Sequence, residues 1–385
     1  MLDSLDKIDQ PSTRGDDNFL EALLDQNQGM ANRRLEMELA REIPEKVLNF
    51  IRTYGHFSTQ TCIALLKTSD AFNVNNFPDC QNSPNGGYDL MVNLKSINDT
   101  LLINALFTSV NEKLKTNGIF IGCVETYQLR KSRILKKYPP GFNYVYYFFD
   151  YVFKRVFPKI KLLSKLYFFI TAGRNRAISE TEALGRLSYC EFEIINSIVD
   201  KKLMYFAARK ANEASNKKEK DYGVILKLPR KGKGGKQIEV YKLRTMFPYS
   251  EYLQTYVYQQ NQLQSGGKFQ NDFRISLLGR FFRKYFLDEI PMLLNLIKGD
   301  LKLVGVRPLS KQYFGLYNDE LKAKRLNHKP GLIPPYYADL PETLDEIQDS
   351  EKRYLESHEK SPFKTDVRYF FMAFRNILFK KARSK

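Results

Sequence analysis

The sequence predicts an α/β protein of two domains, the first of which is built on a parallel sheet. At 385 residues, the chain is longer than a single hydrophobic core usually supports. Apolar runs of strand length occupy residues 61–67, 88–94 and 119–125. Residues 100–118 have helical periodicity and end at Gly118, a residue type that commonly stops helices. A strand, a helix and a strand at this spacing indicate a Rossmann-like domain.

Changes in composition set the predicted domain limits. Residues 1–43 are predicted to form a mobile polar arm followed by a charged helix. The first domain occupies residues 44–210 and closes with two strands in residues 184–210. Residues 211–222 are polar and charged, which is typical of a linker. The second domain occupies residues 223–385, where we predict an α+β structure with amphipathic helices at a membrane interface.

The charge of the chain narrows the class of partner. A formal net charge of +18 predicts attraction to a polyanion, such as an anionic membrane surface, a nucleic acid or a phosphate-rich substrate. Because the positive charge is spread over several amphipathic segments, we expect no nucleic-acid binding. The polar start is not a signal peptide, and no uncharged apolar run approaches the ~18 residues of a membrane span. We therefore expect a protein that faces the cytosol.

The cysteines predict free thiols in a reducing compartment. They are widely scattered and contain no CxxC pair, so neither a zinc site nor a disulfide framework is expected. The four positions are Cys62, Cys80, Cys123 and Cys190.

One segment of the first domain has an unusual composition. Residues 142–170 contain 12 aromatic side chains and five Lys or Arg, and Asp150 is the only acid among them. Tyr and Phe mixed with cations suit a membrane–water boundary, where rings lie at headgroup depth and cations meet anionic lipid. An ordinary amphipathic insertion packed on the protein is the alternative.

The second domain begins with a predicted β-hairpin, residues 223–246, around a turn rich in glycine and lysine. Lys242 and Arg244 lie on the strand that leaves this turn, and they are candidates for phosphate contact. Residues 274–286 then predict an amphipathic helix with a cationic face that includes Arg280.

Two adjacent carboxylates, Asp288 and Glu289, follow this helix. Pro291 is tolerated only in a first helical turn, so we predict a buried helix that starts at residues 288–291 and ends at Gly299. One interpretation of the pair is an N-cap with a dipole-stabilised glutamate. The other is an anion-processing site, in which a carboxylate attacks phosphorus or holds Mg²⁺.

Two constrained segments supply further cations. Arg307 lies between Val306 and Pro308, and such a stiff segment suits bidentate phosphate binding. Lys329 precedes Pro330 on a second loop. The tail, residues 365–385, predicts a basic and aromatic amphipathic helix that suits a membrane interface.

These motifs together resemble a known family. The segments KLRTM, GRFFRKYFLDEIPMLLNLIKGDLKLVGVRPL and KPGL, in this order, resemble the bacterial sugar transferase family over about residues 223–378. Its members are monotopic polyprenyl-phosphate phosphoglycosyl transferases. The resemblance implies transfer of a sugar-1-phosphate from a UDP-sugar to polyprenyl phosphate, the first membrane step of polysaccharide or glycoconjugate synthesis. It places the protein at the cytoplasmic face of the bacterial inner membrane.

The resemblance also implies residue roles. Asp288 is the nucleophile that forms a covalent phosphosugar intermediate and releases UMP, and Glu289 is its acidic partner, with both carboxylates at a Mg²⁺ ion. Arg307 donates to the nucleotide phosphates. Apart from the resemblance, four further cations are candidates for the substrate phosphates: Lys242, Arg244, Arg280 and Lys329. The sequence names neither the sugar nor the oligomeric state.

The chain departs from the family in two places. The apolar re-entrant helix expected before the hairpin is replaced by hydrophilic residues 211–221, so membrane contact must come from elsewhere, and residues 142–170 are the candidate. The sequence IPPYYADLPETLDE after KPGL leaves the sugar specificity open. A non-catalytic membrane-associated scaffold in the same pathway is the alternative function, although the intact set Asp288, Glu289 and Arg307 argues against it.

The first domain resembles a degenerate class I methyltransferase. Its strands, the helix between them and the closing hairpin match that layout. The glycine-rich loop of that family is replaced by residues 61–77, which contain no glycine. Without it the backbone cannot approach S-adenosylmethionine closely, so we predict no methyl transfer and a structural or regulatory role.

Overall fold

The computed structural model describes residues 28–55, 57, 61–80, 86–215, 222–260 and 272–379. The chain divides into two compact units, Met1–Lys217 and Lys218–Lys385. This division falls in the segment predicted as a linker, of which residues 216–221 lie outside the described part. Residues 1–27, within the predicted arm and helix of residues 1–43, also lie outside it. The domain limits given above stay a prediction.

The first unit is built on a five-stranded mixed sheet with the order β1-β2-β3-β5-β4. The first three strands are parallel, and β5 runs antiparallel to both β3 and β4. The expected mixed α/β class with a parallel sheet is therefore confirmed. The strands are β1 Ile63–Leu66, β2 Tyr88–Ser96, β3 Leu114–Val124, β4 Phe192–Asp200 and β5 Leu203–Lys210.

Helices surround this sheet. They are α1 Gln28–Glu42, α2 Glu45–Tyr54, α3 Ala71–Asn75, α4 Ile103–Lys113, α5 Tyr127–Lys137, α6 Phe142–Tyr151, α7 Lys161–Thr171 and α8 Glu180–Tyr189. On one face, Leu39 and Ile51 share a buried cluster with Leu90 and Ile121 of the sheet. Strand β1 is apolar and buried along its whole length because both faces of the sheet are covered there.

Two boundaries differ from the predictions. The helix expected to stop at Gly118 ends at Lys113, and Gly118 lies inside β3, where the register against β2 is shifted. A Cβ at that position would approach the Tyr88 carbonyl oxygen to 2.9 Å, so the glycine permits close strand contact instead of a helix stop. The segment predicted as two closing strands also begins with helix α8, whose N-cap is Ser179.

The prediction of four free thiols is wrong for one pair. Cys62 and Cys80 form a disulfide with their Cα atoms 6.2 Å apart. Cys62 directly precedes β1 and Cys80 lies in the connection to β2, so the pairing of these strands brings the two together. Spacing along the sequence does not reveal such a contact. Cys123 and Cys190 carry thiols outside the disulfide, as predicted, and both are buried.

The second unit starts with the predicted hairpin, which the structure confirms. Its strands are β6 Ile225–Lys231, β7 Gln237–Leu243, β8 Lys302–Val304 and β9 Gly331–Ile333; β6 and β7 pair antiparallel, and β8 and β9 pair parallel. Its α-helices are α9 Gln254–Gln260, α10 Leu277–Lys284, α11 Leu293–Ile297, α12 Lys311–Gly315, α13 Asp319–Leu326, α14 Tyr336–Asp339, α15 Leu344–Lys360 and α16 Pro362–Phe379. A 3₁₀ helix, Leu287–Met292, precedes α11.

The prediction of a buried helix ending at Gly299 is half right. Gly299 has a φ of +74° and ends the helix. Three of the four apolar side chains of α11, Leu293, Leu294 and Ile297, are exposed, however, and Ile297 is 83% exposed whereas Asn295 is 0% exposed. The Asn295 amide donates to the Glu239 carbonyl at 2.6 Å and accepts from the Tyr241 N–H at 3.0 Å. The helix is thus anchored through its polar residue.

Among the described residues, every helix falls short of the length and apolarity that crossing a bilayer demands.

Candidate functional site

Asp288 and Glu289 lie in the 3₁₀ helix, immediately after a strained residue. Phe286 has a φ of +58°, which is a rare conformation for a bulky side chain. Its ring packs edge-on against Tyr337, with the ring centroids 5.4 Å apart. Because such strain persists only where surrounding contacts enforce it, this packing holds the sharp turn that presents the two carboxylates.

Strand β7 supplies the cation that faces this pair. The Lys242 ammonium lies 2.6 Å from Glu289 Oε1, and both side chains are largely buried. Burial raises the pKa of the Asp288 carboxyl above its ordinary value, the adjacent Glu289 adds to that effect, and the charge of Lys242 opposes it. A carboxylate that is costly to ionise and faces a lysine is a common feature of functional sites.

A small cavity that opens to solvent is lined by Glu289 and brings together residues that are far apart in the sequence. Three of the predicted site residues line it: Lys242, Glu289 and Arg307. The remaining lining residues are Met292, Pro308, Gly331, Leu332, Pro334 and Tyr336. A pocket with one carboxylate and two cations suits a ligand that carries phosphate groups.

A contact between two glycines shapes this cavity. A Cβ on Gly331 would lie 2.1 Å from the Gly305 backbone nitrogen, which no side chain tolerates. The Gly331 N–H donates to the Val306 carbonyl at 2.9 Å, and the Gly305 N–H donates to the Ile333 carbonyl at 3.2 Å. This crossing joins the GVRPL and KPGL segments and positions Arg307.

A buried ion pair holds the backbone of the segment that contains Arg307. Arg325 and Glu351 form this pair, and Arg325 Nη2 also donates to the Arg307 carbonyl at 2.5 Å. The Arg307 guanidinium lies over the Tyr336 ring, 5.7 Å from its centroid. Although burial opposes the charged form, Tyr336 and Glu289 raise the pKa of Arg307, so the guanidinium stays protonated.

Burial and the charge of Arg307 lower the pKa of the Arg230 guanidinium on β6. A cation whose protonation is disfavoured by a neighbouring cation favours an anion between or beside the two. Arg230 lies near the end of β6, and the sequence alone does not single it out.

The other predicted cations are not among the residues that line the cavity. Arg244 donates through Nε to the Gly223 carbonyl at 2.9 Å, and its guanidinium lies over the Tyr222 ring. Arg280 is exposed on α10. Lys329 is exposed, with its ammonium close to Gly299. Their roles as phosphate ligands stay predictions.

Several residues that shape the site were missed by the sequence analysis. The Thr245 carbonyl accepts from the Ser276 N–H at 3.0 Å, and its hydroxyl accepts from Arg283 Nε at 2.9 Å. A Cβ on Gly279 would meet the Thr245 carbonyl oxygen at 2.0 Å. Only the glycine in α10 signals this close contact in the sequence. Nothing in the sequence around Arg325 or Glu351 indicates that they pair, since they lie 26 residues apart.

The carboxylates of Asp288 and Glu289 are of the ligand type that suits Mg²⁺, an ion whose remaining positions are usually filled by waters and phosphate oxygens. Among the residues described, no group of three or more His, Cys, Asp or Glu is placed to hold a metal ion. Asp288 and Glu289 are two adjacent carboxylates, and Mg²⁺ is usually bound by one or two carboxylates together with waters and substrate phosphates. Two carboxylates of this kind would therefore hold Mg²⁺ only together with waters or a phosphate-bearing ligand.

Comparison with known proteins identifies the region that contains this site. The model of the family described as "Bacterial sugar transferase" matches residues 206–380. The uncharacterized sugar transferase EpsL of Bacillus subtilis is 38% identical over 109 residues, covering 28% of this chain and 48% of that protein. The undecaprenyl-phosphate galactose phosphotransferase of Salmonella typhimurium is 38% identical over 108 residues, covering 27% of this chain and 22% of that protein. The chain therefore spans half or less of the length of these relatives.

Solved structures add little for the first unit. An S-adenosylmethionine-dependent methyltransferase from Clostridium acetobutylicum is 12% identical and covers 48% of this chain and 81% of that chain, with a TM-score of 0.22. A TM-score this low supports no conclusion. The methyltransferase-like layout of the first unit stays a prediction.

Proposed function

Because residues 206–380 belong to the bacterial sugar transferase family, we propose that the chain transfers a sugar-1-phosphate from a UDP-sugar to polyprenyl phosphate. The observation that supports this proposal most directly is the cavity that joins Lys242, Glu289 and Arg307 next to Asp288. A transfer between two phosphorylated substrates needs both a nucleophile and several fixed cations in one place.

The proposed reaction has two steps. A carboxylate oxygen of Asp288 attacks the phosphorus that bears the sugar, the bond from that phosphorus to the bridging oxygen breaks, and UMP leaves with the electron pair. The product is an acyl phosphate between Asp288 and the sugar. An oxygen of polyprenyl phosphate then attacks the same phosphorus, which releases the Asp288 carboxylate and gives a polyprenyl-diphosphate sugar.

The neighbouring residues stabilise charge in both steps. Lys242 faces Asp288 and Glu289, so it favours the ionised nucleophile and opposes repulsion between carboxylate and diphosphate. Arg307, held by the contact of its carbonyl with Arg325, presents a charged guanidinium for the phosphates. When bound by the Asp288–Glu289 pair and the diphosphate, Mg²⁺ would neutralise phosphate charge.

The proposed setting is the cytoplasmic face of the bacterial inner membrane, where the chain would bind peripherally. Polyprenyl phosphate resides in the bilayer, and the relative from Salmonella typhimurium is named for undecaprenyl phosphate. The exposed apolar side chains of α10 and α11, among them Leu278 and Ile297, support contact with lipid. The product would start a polysaccharide or glycoconjugate.

A non-catalytic scaffold is the second candidate. The observation that favours it is the hydrophilic segment in place of a re-entrant helix, which leaves this chain without the family's usual route to the lipid acceptor. A scaffold of this kind would bind anionic vesicles and release no UMP.

UMP release separates the two candidates. The full chain is incubated with a panel of UDP-sugars, with and without polyprenyl phosphate and Mg²⁺, beside Asp288→Asn. We expect lipid-dependent UMP from one sugar and a loss of about 10³-fold or more in the variant. Absence of UMP from every sugar, with folded and vesicle-bound protein, would support the scaffold.

A further inference from the structure

Helix α6 has its polar side chains turned inward. Asn143, Tyr147 and Asp150 face inward, and their spacing of four and three residues places them along one side of the helix. Asn143 donates to the Leu135 carbonyl at 3.0 Å. Asp150 accepts two hydrogen bonds from Arg130, at 2.6 and 2.7 Å, and both side chains are buried. The helix is fastened to the first unit by an amide and a buried ion pair.

The segment that follows α6 is fastened in the same manner. A π-helical turn, Val152–Val156, carries the buried Arg155, which pairs with Glu182 of α8 at 2.5 Å and donates to the Ala177 carbonyl at 2.9 Å. In α7, the buried Tyr167 packs against Phe153 with ring centroids 5.3 Å apart. These contacts give the segment a fixed orientation.

The outward sides of α6 and α7 are apolar, which is the reverse of the usual arrangement of an amphipathic helix on a protein surface. Phe149 is 66% exposed and Phe169 is 88% exposed. We name this exposed surface the aromatic face. It consists of Phe142, Tyr144, Val145, Tyr146, Phe148 and Phe149 of α6 with Leu166, Phe169 and Ile170 of α7.

The charge around the aromatic face is positive. The only acid of residues 142–170, Asp150, is neutralised inside the unit by Arg130. Exposed cations lie on α5 and α7 and just after α7: Lys136, Lys137, Lys165 and Arg174. An exposed apolar surface on helices that carry exposed cations and no exposed acid complements an anionic surface.

We propose that the aromatic face docks on an anionic lipid bilayer, so that the first unit is itself a membrane-binding module. Tyr and Phe rings suit the headgroup boundary, and the cations meet anionic lipid. A soluble protein partner with an acidic, apolar surface is the alternative outcome of the test. The inference concerns binding alone and does not depend on sugar transfer, so the two proposals fail separately.

The absence of tryptophan from the chain allows a clean optical test. Phe149→Trp introduces a single indole on the aromatic face, and Phe72→Trp introduces one at a residue of α3 that is 68% exposed. Each full-length variant is mixed with vesicles of phosphatidylglycerol and phosphatidylcholine that contain brominated acyl chains. No UDP-sugar or polyprenyl phosphate is present.

We expect a blue shift and strong quenching for Phe149→Trp and neither for Phe72→Trp. Because the indole reports its own position, lipid contacts made by the second unit do not affect the result. Equal quenching in the two variants would overturn the proposal. So would binding by a soluble protein that shields the indole while vesicles leave it unquenched.

A vesicle-sedimentation assay gives a second, independent outcome. The triple variant Phe148→Ser, Phe149→Ser and Phe169→Ser removes exposed rings only, so its thermal unfolding should match the wild type. We expect sedimentation of the triple variant with anionic vesicles to be about tenfold weaker than that of the wild type at both high and low salt. Phe72→Ser should sediment as the wild type does. Because the second unit is itself proposed to contact lipid, undiminished sedimentation of the triple variant together with an unquenched Phe149→Trp would contradict the role of the aromatic face.

Discussion

Apolar residues are buried in the first strand of the first unit but mostly exposed on α11, the helix that follows the acidic pair in the second unit. All four residues of β1, Ile63–Leu66, are buried. In α11, Leu293, Leu294 and Ile297 are exposed while Asn295 is fully buried. A sheet covered on both faces has no outward direction for its apolar side chains, whereas a helix can present either side to the protein.

Buried asparagines decide the orientation of three helices in this chain. Asn143, Asn295 and Asn376 are buried on α6, α11 and α16, and each donates its amide to a backbone carbonyl of another segment. A buried amide that loses such a partner is costly. These asparagines therefore fix which side faces inward, and the apolar side is left exposed.

The largest expected effect comes from the buried ion pair behind the site. Glu351→Gln leaves the Arg325 guanidinium buried without its counter-charge, which costs about 3–5 kcal/mol. Because the two units can unfold separately, hydrogen exchange of peptides from residues 302–333 is the appropriate measurement. We expect a marked loss of protection there and an unchanged β1–β5 sheet.

Glu320→Gln is the matched control for this ion pair, since Glu320 is exposed on α13. It should leave exchange unchanged. Equal protection in Glu351→Gln and Glu320→Gln would mean that the second unit does not depend on the buried charge pair.

The glycine crossing is the next contact to break. Gly331→Ala pushes a methyl group into the Gly305 backbone, and we expect a loss of about 3 kcal/mol together with weaker UDP-sugar binding, because Arg307 would move. Gly315→Ala is the control, since a Cβ there meets nothing within 4 Å. A Gly331→Ala protein as stable as Gly315→Ala would refute the crossing.

Substitutions of two residues of α11 should change the free energy of unfolding in the opposite order to what burial gives in β1. Asn295→Ala removes two hydrogen bonds to β7 and should cost about 2 kcal/mol. Ile297→Ala removes an exposed side chain and should change the free energy of unfolding by about 0.5 kcal/mol or less. In β1 the order reverses, since Leu65→Ala opens a buried cavity. If Ile297→Ala cost more than Asn295→Ala, the inferred orientation of α11 would be wrong.

The smallest effect concerns the protonation of Asp288. Its raised pKa means that the folded state binds this proton more tightly than the unfolded state. The carboxyl therefore favours folding in acid and opposes it as pH rises through the folded-state pKa. We expect Asp288→Asn to melt slightly above the wild type at neutral pH, with the difference vanishing near the ordinary value of 3.8.

Asp349→Asn is the control for this pH dependence, because Asp349 is exposed on α15. A neutral-pH gain of the same size in Asp349→Asn would show that the effect is not specific to the site. The same raised pKa predicts that UMP release falls on the acid side at a pH above the ordinary aspartate range.

The sequence predicts the elements of the fold better than their orientation. Apolar runs identified β1, β2 and β3, and the glycine-rich turn identified the β6–β7 hairpin, because these signals are local. The disulfide and the pairing of Arg325 with Glu351 depend on contacts between distant segments. Periodicity located the apolar stripe of α11, but the buried position of Asn295 was decided by its partners on β7.

The candidate site shows the same limit. Motif order suggested Asp288, Glu289 and Arg307, the strand that leaves the hairpin suggested Lys242, and the cavity brings Lys242, Glu289 and Arg307 together. The strained Phe286 carries no sequence signal, since glycine or asparagine is the usual residue at a positive φ. Its conformation follows from packing against Tyr337 and is visible only in the folded chain.

The most direct test of the account is the intact mass of the full chain after incubation with UDP-sugars and Mg²⁺ in the absence of polyprenyl phosphate. The account predicts a mass gain of one phosphosugar, located on Asp288 by peptide mapping, discharged by polyprenyl phosphate and absent from Asp288→Asn. UMP release without any such adduct, or an adduct that persists in Asp288→Asn, would contradict a covalent role for Asp288.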